Sequence, residues 1–282
     1  MNEKDKILCL DLGGTGLKSG IVENGVLVRK YIVPTEISDG VEGIQRTFER
    51  VLGYYAADEY DAVAVSSAGT IDSERGVVTY ATGLLPGYTG FALRKFIEMR
   101  TGRPCVCLND GYAAAICESA GYKGTVLVLT LGTGVGGAYV KDGEIVAFAP
   151  EGIGHLPLVV NGLPCTCGRY GCIEQYISGK AFRRAVNESN RDVLWQRYEQ
   201  GDRAITTKVG EWLSWIRRAC DRLYREKAYD VVIFGGGLAE ASGYWLNGET
   251  FSAAPYRAVA AKHGNDAGML GAYLFYKKCM RI

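Results

Sequence analysis

Ile7-Leu-Cys-Leu-Asp11-Leu-Gly13-Gly14-Thr15-Gly16-Leu-Lys18-Ser-Gly-Ile-Val22-Glu23-Asn24-Gly25-Val26 is the stretch from which the fold is read. A short apolar run over residues 7–11 ends in a glycine loop at 13–16, resumes over 17–22, and turns at Glu23-Asn24-Gly25 into a further apolar stretch over 26–33. Asn-Gly between apolar runs is the strongest short hairpin signal, so the pattern reads as strand, glycine loop, strand, hairpin turn, strand. Residues 125–131, the loop Gly132-Thr133-Gly134, residues 136–140, the turn Asp142-Gly143 and residues 145–148 repeat it. A duplicated β-meander with a glycine loop at each first turn predicts two similar α/β lobes facing each other, each loop able to offer backbone N–H groups to a phosphate.

The rest of the chain fits an α/β pattern. Helices are expected over 41–57, 92–100, 111–119, 179–187, 193–199, 206–227 and 267–277, and strands over 62–66, 104–108 and 229–234, the last ending in Gly235-Gly236-Gly237. Trp212, Trp215 and Leu223 fall at helical spacing and are assigned to the core.

At 282 residues the chain has ample length to bury a core. Its 32 Lys and Arg almost balance 31 Asp and Glu, and no basic stripe stands out, which argues against nucleic acid and against an anionic membrane surface. No apolar run reaches the ~20 residues of a membrane span, so a cytosolic protein with a small neutral or anionic substrate is expected. Cys9, Cys105, Cys107, Cys117, Cys220 and Cys279 are expected to pack as small hydrophobes.

The remaining three cysteines are different. His155 is followed by Cys165-Thr-Cys167-Gly168-Arg-Tyr-Gly171-Cys172, one imidazole and three thiolates brought together by glycine turns. That is the Cys3His set of a closed tetrahedral zinc site, which braces a loop and leaves no position open for water.

Gly132, Gly134 and Gly137 meet the G-x-G-x-x-G spacing of dinucleotide-binding proteins, but a hairpin follows where that motif needs a helix. The run from Gly13 to Lys18-Ser19 approaches a P-loop and fails likewise, being interrupted by Leu17 and followed by a strand. Three glycine clusters after three strands still favour a nucleotide site. Asn109-Asp110 stands at a strand end and a helix start, where Asp110 reads equally as a helix cap or as a carboxylate placed to accept a proton from a substrate hydroxyl. Asp11, beside the first glycine loop, could approach a metal-bound phosphate. Glu151 and Glu174 flank the proposed zinc loop as acceptors for sugar hydroxyls.

These motifs together resemble the ROK (repressor, open reading frame, kinase) sugar kinases of the actin and hexokinase superfamily, over nearly the whole chain. Asp11-Leu-Gly13-Gly14-Thr15 resembles their first phosphate loop, with Lys18 beyond it; Leu131-Gly132-Thr133-Gly134-Val-Gly-Gly137 resembles the second; Phe234-Gly235-Gly236-Gly237 resembles the loop near the adenosine. Glu151-Gly-Ile-Gly-His155 and Cys165-x-Cys167-Gly-x-x-Gly-Cys172-x-Glu174 resemble the sugar and zinc signature. The resemblance implies a two-lobed actin-like ATPase, or ribonuclease-H-like, fold, with residues 1–118 plus 267–282 as the smaller lobe and 119–266 as the larger, zinc-bearing one. It implies ATP- and Mg²⁺-dependent phosphorylation of a hexose 6-hydroxyl in a cleft that closes on the substrate. Asp110 would be the base; Asn109, Glu151, His155, Glu174 and Gly69 would hold the sugar, His155 also ligating Zn²⁺; a homodimer is expected by analogy. Ser66-Ser67-Ala68-Gly69 replaces the family's usual Gly-x-Pro-Gly-Pro loop, and Leu84 replaces the Asn before Leu-Pro, which points away from plain glucose and leaves another hexose such as mannose, an N-acetylated hexosamine or a glycoside open. Nothing ahead of residue 7 has room for a helix-turn-helix, which argues against DNA regulation. A catalytically weak sugar sensor or scaffold is the alternative, and Asp110 argues against it.

Overall fold

The computed structural model describes residues 5–81, 83, 85–146, 152–188, 190–246 and 249–280. In chain order the elements are β1 (Lys6–Leu12), β2 (Gly16–Glu23), β3 (Val26–Pro34), α1 (Gly40–Tyr54), β4 (Ala62–Ser67), β5 (Thr70–Asp72), β6 (Val77–Tyr80), α2 (Leu93–Thr101), β7 (Cys105–Asn109) and α3 (Asp110–Ser119). Then come β8 (Thr125–Leu131), β9 (Val135–Lys141), β10 (Glu144–Val146), α4 (Glu174–Ile177), α5 (Gly179–Val186), α6 (Arg191–Glu199), α7 (Arg203–Glu226), β11 (Val231–Gly235), α8 (Ser242–Trp245), β12 (Arg257–Ala260) and α9 (Ala267–Cys279). The chain divides into two compact units, Met1–Cys117 with Asn265–Ile282, and Glu118–Gly264.

Each unit is built on a five-stranded sheet of the same design. The first runs β3-β2-β1-β4-β7 and the second β10-β9-β8-β11-β12, both with an antiparallel meander on one side and parallel strands on the other. The duplication read from the sequence is thus a duplication of whole sheets. Asn24 and Asp142 both adopt the left-handed backbone (φ 50° and 51°) that these two-residue hairpin turns require.

Alternation along β1 sorts the first core into two layers. Leu8, Leu10 and Leu12 pack with Ile44, Phe48, Phe96 and Ile97 of α1 and α2 on one face. Ile7 and Cys9 pack with Ala62, Ala64, Met269 and Ala272 on the other. Small residues on this second face let α9 lie close to the sheet. In the second unit Leu127, Leu129 and Phe234 meet the indoles of Trp212 and Trp245, with Ile216 and Leu223 of α7. Each such fully buried side chain contributes roughly 1.5–3 kcal/mol. The two longest helices of this unit after residue 190 start on side-chain caps, Asn190 accepting from Asp192 and Val193 and Asp202 from Ala204 and Ile205.

Two expectations need correction. Cys279 does not share the burial of the other five non-zinc-loop thiols: it is exposed, because the last turn of α9, with Lys277 and Lys278, runs past the core. Trp215 is half-buried, whereas Trp212 and Leu223 are buried. Among the described residues no helix is long and apolar enough to cross a membrane.

Candidate active site

Asp11, the next-to-last residue of β1, is 7% exposed. Antiparallel register sets it opposite Lys18 and parallel register sets it beside Ser66. Both neighbours use that placement: Lys18 Nζ lies 2.9 Å from Asp11 Oδ2 and Ser66 Oγ donates to Oδ1 at 2.8 Å. Burying a carboxylate is costly unless its oxygens are paired and hydrogen-bonded, as both are here. The adjoining loop is tied down by Thr35, whose hydroxyl donates to the Gly13 carbonyl (2.9 Å) and whose N–H donates to the Thr15 carbonyl (3.2 Å). A β-carbon on Gly14 would meet nothing within 4 Å, so this loop presents open backbone.

Asn109 and Asp110 divide the two roles that the sequence left undecided. Asn109 Oδ1 accepts the N–H of Tyr112 at 3.2 Å, three residues on, which makes Asn109 the cap of α3. Its Nδ2 donates to the Gly69 carbonyl (2.7 Å) and to Asp110 Oδ1 (2.9 Å), so Gly69, Asn109 and Asp110 form one cluster. Asp110 Oδ1 also accepts the N–H of Gly111 at 2.8 Å. Burial pushes the Asp110 carboxyl above the usual carboxylate range, and the negative charge of Asp11 adds to the effect. A capped helix, a second carboxylate nearby and a raised proton affinity are what a general base at this position needs.

In the second unit the glycine loops after β8 and β11 adjoin. Leu238 N–H donates to the Leu131 carbonyl (3.2 Å), and a β-carbon on Gly236, itself at φ 81°, would lie 2.8 Å from that oxygen. Only glycine fits this approach. Gly132 N–H closes a tight turn onto Gly134 O (3.1 Å), Thr133 is exposed at its tip, and Gly132 O accepts the N–H of Gly179 at the start of α5 (2.7 Å). Beside Gly237, whose carbonyl lies 3.4 Å from Arg191 Nη1, is a pocket of about 260 Å³ lined by Arg191, Trp195, Glu240 and Tyr244 among others. Tyr244 stacks on Trp195 with ring centroids 4.9 Å apart, and the buried Trp195 Nε1 has no hydrogen-bond partner among the described residues.

The candidate metal centre gathers all four predicted ligands. One ligand atom each from His155, Cys165, Cys167 and Cys172 lies within 4.8 Å of the others. Cys165 Sγ is 3.6 Å from His155 Nδ1, and Cys167 Sγ is 3.6 Å from Cys172 Sγ. A tetrahedral zinc ion with Zn–S bonds of about 2.3 Å sets its sulfurs roughly 3.8 Å apart, so the donors fit the ion. Cys172 is held by pairing with Pro157, and Cys165 by its N–H to the Arg169 carbonyl (2.8 Å). Glu174 adjoins this cluster: its Oε1 is 3.2 Å from Cys165 Sγ and 3.7 Å from His155 Nδ1. Its Oε2 reaches under the glycine loop, 2.9 Å from where a β-carbon on Gly134 would be. Glu151 and Leu84 lie outside the described residues. Thr35, Gly268, Arg191 and Glu240 were not singled out in the sequence, each being a residue type with a commoner surface or turn role.

Two sheets of identical strand order, each with a glycine loop after its first strand, and a zinc-type His/Cys cluster in the second, define an α/β protein of the actin-like ATPase class. The chain belongs to the ROK family, whose family model matches residues 7–279. It is similar to the N-acetylmannosamine kinase of Pasteurella multocida (strain Pm70), with 30% identity over 297 residues covering 98% of each chain. Among solved structures it is similar to the ROK hexokinase from Thermus thermophilus, at 29% identity and a TM-score of 0.77. It is also similar to a ROK family glucokinase from Streptomyces griseus in complex with glucose and AMPPNP, at 25% identity and a TM-score of 0.78. Both matches cover 97% of this chain and 99% of the other.

Proposed function

We propose that this ATP-dependent sugar kinase phosphorylates the 6-hydroxyl of a hexose, with Asp110 as the base and N-acetylmannosamine foremost among its substrates. The observation that carries the reading is the division of labour at the start of α3, where Asn109 caps the helix and leaves Asp110 beside Asp11 with a raised proton affinity. Asp110 accepts the hydroxyl proton as the sugar oxygen forms its bond to the γ-phosphorus of ATP and the bond to the β,γ-bridging oxygen breaks. Positioning and charge neutralisation supply most of the catalysis in such a transfer, and no covalent nucleophile is required. Mg²⁺, when bound with the nucleotide, neutralises phosphate charge, and Asp11 is the carboxylate suited to face it. The open backbone at Gly13, Gly14 and Thr15 and at Gly132, Thr133 and Gly134 suits phosphate oxygens. Gly235, Gly236 and Gly237 lead to the pocket of Arg191, Trp195, Glu240 and Tyr244, which at about 260 Å³ is sized for a base rather than for a whole nucleotide.

Asn109, Glu151, His155, Glu174 and Gly69 hold the sugar. Zinc on His155, Cys165, Cys167 and Cys172 would fix the loop so that the His155 ring presents a fixed N–H donor and Glu174 a fixed acceptor. The named relative and the Leu84 replacement favour an N-acetylated hexosamine over glucose. The protein acts as a homodimer in this reading. ADP release should be followed with glucose, mannose, N-acetylmannosamine, N-acetylglucosamine and a β-glucoside, and the product's phosphate position read by NMR. N-Acetylmannosamine turning over fastest, with the phosphate on O6, is expected. Glucose winning clearly would overturn the substrate reading, and consumption of none of the sugars would overturn the reaction.

A further inference from the structure

Glu118 belongs to none of the motifs above. It is the penultimate residue of α3, only 4% exposed, and its carboxylate accepts two backbone N–H groups far along the chain: Lys262 at 2.7 Å on Oε2 and His263 at 2.8 Å on Oε1. The His263 imidazole adds Nδ1 at 3.3 Å from Oε2. The Lys262 ammonium lies 5.7 Å from the ring centre of Tyr122, just past α3. Burying a carboxylate is costly unless its lone pairs are met, and here they are met by donors that neither β12, ending at Ala260, nor α9, starting at Ala267, employs. The chain passes between its two units at 117–118 and again at 264–265, so this carboxylate and its donors sit next to both passages.

The two fastened segments both lead to the candidate chemistry. Asp110 opens α3 at one end while Glu118 stands near the other. Four residues beyond His263, α9 begins, and its Gly268 backs directly onto Asp11. Further along, α9 crosses α3 so closely that a β-carbon on Gly271 would overlap the Ala113 carbonyl. Helices in such contact have one register, and a shift at the start of α9 is passed on to Asp11.

We propose that Glu118 is a positioning residue for phosphoryl transfer: its carboxylate fastens residues 262–263 to the end of α3 and so fixes where α9 begins, holding Asp11 in place relative to Asp110. This rests on the base role given to Asp110. Glu118→Gln keeps the shape, removes the charge and turns an amide NH2 toward a backbone donor. It should lower kcat on the order of tenfold or more, as small misplacements of reacting groups do, while Kd for the sugar and for ADP, each measured alone, stay at the wild-type values. Amide exchange at Lys262 and His263 should accelerate in the same variant. His263→Ala, which retains both backbone donors, should keep most of the turnover. If Glu118→Gln does not accumulate folded, Glu118→Asp withdraws the charge by one methylene and serves the same comparison. Wild-type kcat in the variant overturns the proposal, and so does a kcat loss matched by equal losses of sugar and ADP affinity, which marks a merely structural role. The two readings fail separately: wild-type protein that turns over no sugar removes the kinase reaction itself, whereas normal turnover in Glu118→Gln removes only the positioning.

Discussion

Gly268 lies so close to Asp11 that a β-carbon on it would fall 2.5 Å from the carboxylate oxygen Oδ1 and 2.6 Å from Oδ2. The second residue of α9 therefore walls the carboxylate that Lys18 and Ser66 contact. The absence of a side chain there is a requirement of the site, not of the helix, in which glycine is a poor former.

Gly268→Ala is expected to push Asp11 off Lys18 and Ser66. Overpacking of this kind costs about 1–3 kcal/mol, and turnover should fall with it. Gly53→Ala in α1 is the matched control, because nothing lies within 4 Å of the added methyl and helix propensity favours alanine by roughly 0.5–1 kcal/mol. Urea melts should move in opposite directions for the two variants; equal behaviour would mean that Asp11 is less tightly backed than its geometry indicates.

Asp110→Asn separates stability from chemistry. The native carboxyl has a raised pKa, so the fold binds its proton more tightly than the unfolded chain does, and stability is lost as pH rises from the ordinary value of about 3.9 through the folded one. Removing the charge lifts that cost, and Asn109 still caps α3. The variant should melt at or above the wild-type temperature at pH 7, while turnover drops by at least ~10²-fold. In the wild type, kcat/KM should fall on the acid side at a pH above the ordinary carboxylate range. A variant with near-normal turnover would leave Asp110 without the base role.

Protein purified without added metal should carry about one zinc per chain, judged by elemental analysis. Chelation should loosen the loop between His155 and Cys172 and lower affinity for the sugar through His155 and Glu174. Cys167→Ser with unchanged metal content and unchanged melting would remove the metal centre from the account.

Tyr244→Ala should weaken ADP on the order of tenfold, the worth of one base stacked on an aromatic ring, and leave pyrophosphate affinity unchanged. Tyr244→Phe, which keeps the ring, should bind ADP as the wild type does. Parallel losses for ADP and pyrophosphate would locate the base elsewhere.

Much of this architecture was legible in the sequence because its signals are local. The meanders are announced by Asn24-Gly25 and Asp142-Gly143 between apolar runs, and the metal centre by three cysteines within eight positions. What escaped reading depends on partners distant in the chain. The β5–β6 hairpin and β12 are strands of three or four residues, too short for a period to register, and exist through pairing with neighbours. Asn109 and Asp110 are equally good caps by residue type, and only the distance to Tyr112 decides between them. Glu118 reads as one more solvated helix acid until residues 262–263 are seen above it.

The two sheets share a strand order but not the chemistry of their middle strands. Asp11 and Thr130 are equivalent, each one residue from the end of its sheet's middle strand. Their cross-strand neighbours are equivalent too: Lys18 and Ser66 beside Asp11, Gly136 and Gly235 beside Thr130. One half has a charged, interlocked trio where the other has a hydroxyl flanked by bare backbone. The acid is confined to one sheet, while the equivalent place in the other offers a hydroxyl and backbone amides, groups suited to anionic oxygens. The same scaffold thus presents a charged, interlocked trio at one position and an uncharged, open backbone at its equivalent, so the two sheets suit different ligand groups.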